Sequence, residues 1–92
     1  MKLGSWEIDN LKAIALPQKA QSAFTNVTGG IVGADYQPVL YVGHQVVNGT
    51  NYCIFAIQKI VAPNAEVRLV KMIIHEDLNG AASLMSISGV AL

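Results

Sequence analysis

The sequence predicts an α+β domain: one α-helix packed across an antiparallel β-sheet of four or five strands. Three observations carry this. Apolar residues recur at spacings of three and four only within residues 9–28. From Tyr36 onward the pattern becomes runs of β-branched and aromatic residues. Those runs are separated by short turn signals, Asn48-Gly49, Pro63-Asn64 and Asn79-Gly80, so consecutive strands should pair antiparallel. A helix with one apolar stripe and a sheet with one face to cover bury each other in two layers.

Residues 1–8 read as an N-terminal arm, loosened by Gly4 and Ser5 and carrying one large apolar side chain, Trp6. In residues 9–28, Ala13, Leu16, Ala20, Phe24 and Val27 share one helical face, and Gln18, Lys19, Gln21, Ser22 and Thr25 fill the other. Pro17 inside one long helix would remove a hydrogen bond and kink the axis, whereas at a first turn it is harmless. The main helix is therefore expected to start near Pro17, after a short turn or helical stretch at 9–14, and to end at Gly29-Gly30. The strands follow as 39–42, 52–57, 67–74 and 82–90, which makes 36–92 a meander. Each Asn-Gly pair predicts a type I′ hairpin turn. The 92 residues form a single domain, 1–92.

Composition narrows the function. The chain is 52% hydrophobic and 13% charged, with six basic residues against six acidic ones. A neutral chain without a basic cluster lacks the face that nucleic acid or an anionic membrane needs. No run approaches the roughly 20 apolar residues of a membrane-spanning helix. Cys53 is the only cysteine, so no intramolecular disulfide forms and packing must supply the stability. The expected location is the cytoplasm, or that of an already mature secreted chain.

The chemistry-bearing residues do not converge. His75, Glu76 and Asp77 are consecutive, so their side chains alternate in direction and cannot easily share a metal. No phosphate loop precedes a helix, no nucleophile elbow is present, and no base is placed beside Cys53. The expectation is a non-catalytic protein without cofactor or metal.

The hairpin Gln45-Val46-Val47-Asn48-Gly49-Thr50-Asn51-Tyr52 stands apart. Val46 and Val47 are adjacent apolar residues beside a turn, and alternation points one of them away from the core. An apolar side chain at a loop tip marks contact with a partner. Gly49 permits close backbone approach.

Gln45-x-Val47-x-Gly49 matches the Gln-x-Val-x-Gly motif of the cystatin superfamily. The extension through Thr50, Asn51 and Tyr52 resembles the first inhibitory hairpin of stefins, the disulfide-free cystatins. The order of elements and the lack of disulfides are similar too. The resemblance implies a cystatin-like fold and reversible, tight-binding inhibition of papain-like cysteine proteases. The inhibitory wedge would have three parts. Gly4 would be the glycine of an N-terminal trunk, and Gln45, Val46, Val47, Asn48 and Gly49 would form the first hairpin. His75, Asp77 and Leu78 would lie in a second loop, where His75-Glu76 is similar to the Pro-His-Glu of stefins with Ile74 in place of the proline. It also implies a monomer that can exchange strands into a swapped dimer. A Gly49→Arg variant is expected to stay folded and fail to block papain. The competing reading is a cystatin-fold interaction module that inhibits no protease. A small enzyme or ligand carrier would need a deep polar pocket.

Overall fold

In the computed structural model, which describes residues 6–9, 11–64 and 66–92, one helix packs against a four-stranded antiparallel sheet. The helix α1 spans Gln18–Gly29. The strands are β1 (Ala34–Val47), β2 (Gly49–Ile60), β3 (Val67–Glu76) and β4 (Ala82–Gly89), in the spatial order β1-β2-β3-β4.

The helix is shorter than the apolar spacing over 9–28 suggests. Pro17 is its N-cap, with ψ 146°, and its carbonyl accepts the Gln21 amide at 2.8 Å. Residues 11–17 are not helical. A residue before proline is pushed out of the helical region, and the outer edge of β1 offers other partners. The Ile14 amide donates to the Pro38 carbonyl at 3.1 Å, and Gln37 Nε2 donates to the Leu11 carbonyl at 2.6 Å. The segment thus runs beside β1 instead of coiling, and Ala13 is exposed. Leu16 is buried, and Ile14 packs against the same core from this crossing segment.

Along β2 from Asn51 to Gln58, burial alternates. Tyr52, Ile54, Ala56 and Gln58 are buried under the helix layer, while Asn51, Cys53, Phe55 and Ile57 face the other way and are half-buried. Val70, Met72 and Ile74 of β3 lie opposite Ala56, Ile54 and Tyr52 and close the core with Ala20, Ala23 and Phe24 of α1. Ile54, Val70, Met72 and Ile74 are fully enclosed, each contributing roughly 1.5–3 kcal/mol of burial. The helix rests on β3 and β4, and the crossing segment covers the rest.

β1 is bulged twice, between Pro38 and Leu40 and between Tyr41 and Gly43. Together they shift the register by two residues, from Gln45 opposite Asn51 near the tip to Tyr36 opposite Gln58 at the far end. The molecule is elongated, with extents of 47 × 24 × 20 Å. The β1–β2 tip and the β3–β4 loop share one end of the long axis. The β2–β3 connection and the start of β1 occupy the other.

Neither Asn-Gly pair forms a type I′ turn. That turn needs positive φ at both central residues, and among the described residues only glycines have it: Gly49 at 107° and Gly80 at 87° in these two turns. At the first tip, Val46 faces Thr50 and Val47 faces Gly49, an odd-numbered loop with Asn48 at its apex. The second loop spans Asp77–Ala81 and is closed by the Asp77 amide on the Ala81 carbonyl at 2.9 Å.

Candidate functional site

At the first tip, both valines are exposed. Val46 is 78% accessible and Val47 44%. Gln45 and Asn48 are exposed as well. Gly49 is the exception and is buried.

The neighbourhood of Gly49 corrects the sequence reading of that residue. A Cβ added there would collide with the Glu76 carbonyl oxygen, and would lie 3.0 Å from His75 Cε1 and 3.1 Å from Asp77 Cα. The close approach that glycine permits is made to the end of β3. Positive φ adds a second reason for glycine. Gly49→Arg would therefore disturb the hairpin itself, so the expectation of a folded but inactive variant does not hold.

The same contact joins the two loops that the resemblance groups together. In the β3–β4 loop, the Asp77 carboxylate accepts the Asn79 amide at 2.8 Å and the Ala81 amide at 2.9 Å. Asp77 is thus occupied in shaping its own loop. Leu78, 77% accessible, is what that loop presents.

Two hydrogen-bonded links reinforce the joint, one on each face of the sheet. On the face away from the helix, Asn51 Nδ2 donates to Gln45 Oε1 at 3.1 Å, and Asn51 Oδ1 lies 2.8 Å from His75 Nδ1. On the helix side, the Tyr52 hydroxyl donates to Glu76 Oε1 at 3.4 Å. Burial pushes the Tyr52 phenol above its ordinary value of 10.0, and the Glu76 carboxylate adds to the rise.

The structure brings Gln45, Val46, Val47, Asn48, Gly49, His75, Asp77 and Leu78 together at one end. Gly4 lies outside the described residues. The described part of the arm stands at the opposite end. Ile8 and Asp9 border a hollow with Asp35, Lys59 and Val67, and from Asp35 to Val47 β1 runs on the order of 40 Å. Sequence reasoning assigned no role to Asn51 or Glu76. The signal for Asn51 is its place opposite Gln45, which needs the odd-numbered loop to be known in advance.

Among the described residues, no three His, Cys, Asp or Glu side chains gather as metal ligands. Cys53 is free and half-buried. No described helix is long and apolar enough to cross a membrane. Compared with protein-family models, with curated proteins and with solved structures, the chain matches none.

Proposed function

We propose that this chain is a reversible, tight-binding inhibitor of papain-like cysteine proteases, with a cystatin-like fold. Its binding edge is formed by the Gln45–Gly49 tip and the loop of His75, Asp77 and Leu78. The observation that carries the reading is the joining of these two loops into one projecting edge with exposed Val46, Val47 and Leu78 along it. The class of target comes from the resemblance of Gln45 to Tyr52 to the stefin hairpin.

The edge would enter the protease cleft and block it without being cleaved. A short tip held by a second loop loses little freedom on binding, so most of its contact energy remains as affinity. Val46 and Leu78 supply apolar contact, and their exposure in the free protein makes desolvation favourable on docking.

The test is titration of papain activity. Wild-type protein at micromolar concentration should suppress it. Val46→Asp should weaken inhibition by about a hundredfold, because a carboxylate buried in an interface finds no partner. Its folding stability should stay within about 0.5 kcal/mol of wild type, as expected at an exposed site. Papain that remains fully active with wild-type protein sinks the proposal.

One observation favours a second reading, a cystatin-fold interaction module without protease inhibition. The described arm residues lie at the end opposite the tip, whereas the resemblance implies a trunk beside it. The same titration separates the two.

A further inference from the structure

We infer that Asn51 is a positioning residue that makes the tip hairpin and the β3–β4 loop one rigid body. The inference deepens, and rests on, the reading of that edge as the binding surface.

Asn51 sits on β2 with Gln45 opposite it on β1 and His75 opposite it on β3. Both ends of its amide are engaged, one towards each neighbour. The oxygen Oδ1 carries no hydrogen, so the proton of the 2.8 Å contact belongs to His75 Nδ1.

This arrangement reassigns Gln45. Its carbonyl oxygen is engaged within the protein, so it acts as a strut, and the partner is met by Val46, Val47 and Leu78. The Tyr52–Glu76 contact at 3.4 Å is long for an O–H···O bond, so it is the weaker tie. Gly49 packs closely against Glu76, next to the backbone pairing of Thr50 with Glu76. At this end of the sheet, Asn51 is the only described side chain that hydrogen-bonds to both β1 and β3. Without it, each loop would have to be ordered separately on binding.

Two variants test this. Asn51→Ala removes both bonds. Asn51→Asp keeps the acceptor for His75, and the Gln45 amide can turn over to donate Nε2 to the second carboxylate oxygen. The first readout is amide hydrogen exchange in the free protein, at the hydrogen-bonded tip amides of residues 45–51 and at Asp77 and Gly80. Asn51→Ala should speed exchange about tenfold in both loops, and Asn51→Asp should stay within about threefold of wild type. Unchanged exchange in Asn51→Ala, acceleration confined to one loop, or equal losses in both variants overturns the inference. The second readout is papain inhibition, which Asn51→Ala should weaken about tenfold and Asn51→Asp far less. The two readouts fail independently. If wild-type protein leaves papain active, the functional reading falls while exchange still decides the role of Asn51. If wild-type protein inhibits and exchange does not respond, the role of Asn51 falls and the functional reading stands.

Discussion

Two rows of three polar side chains cross the same three strands, at opposite ends and on opposite faces of the sheet. At the end remote from the tip, Gln58 Nε2 donates to the Tyr36 hydroxyl at 2.8 Å, and Arg68 Nε donates to Gln58 Oε1 at 2.5 Å. At the tip, Asn51 links Gln45 and His75. In both rows an amide on β2 is the hub, and its partners are its direct neighbours in register. The difference is burial. Gln58 is 7% accessible, under the helix layer, while the tip row lies on the outer face with Gln45 exposed. A buried amide stripped of its partners loses free energy, whereas an exposed one turns to water. The remote row therefore contributes to folding. The tip row contributes little to folding and fixes the relative position of two loops.

The sharpest way to break this contrast is Gly49→Ala. Positive φ and the Glu76 carbonyl both oppose a Cβ there. The variant should lose about 3 kcal/mol in urea unfolding, although the glycine lies in the tip. A loss below about 0.5 kcal/mol would mean that the two loops are not in contact. Gln58→Ala should cost about 2 kcal/mol by the same measurement and leave the tip's exchange rates, relative to global unfolding, unchanged. A comparable cost for Asn51→Ala would erase the distinction between the rows.

The smallest effect is at alkaline pH. Tyr52 holds its proton more tightly in the folded protein than at its ordinary value of 10.0. Its contribution to stability is complete below that value and is lost as pH rises through the higher folded-state value. Unfolding midpoints of wild type should fall more steeply than those of Tyr52→Phe across that range. Parallel curves would remove Tyr52 from the joint.

Much of this was legible in the residues. The β-branched runs located all four strands, and Pro17 located the start of the helix, because both signals act locally. Ala13 and Leu16 sit at helical spacing yet belong to an extended segment, since the Pro38 carbonyl supplies the partner that an earlier helix would have supplied itself. Spacing records which residues are apolar and is blind to an acceptor 24 residues away. The row of Tyr36, Gln58 and Arg68 was illegible for a similar reason. Its register depends on two bulges in β1 that no turn signal marks. At the tip the residues were legible and the meaning of Gly49 was not. Glycine announces a close approach, and only the fold says that what approaches is Glu76.

The end of the body remote from the tip has a practical side. Ile8 and Val67 line one hollow, and the Val90 amide donates to the Leu69 carbonyl at 2.9 Å, so residues 8 and 90 both lie towards the end of the sheet remote from the tip. The projecting edge lies at the far end of a 47 Å body. The domain is thus built like a chisel with its handle at the back. A carrier or a sensor surface held against that remote end would leave the blade unobstructed.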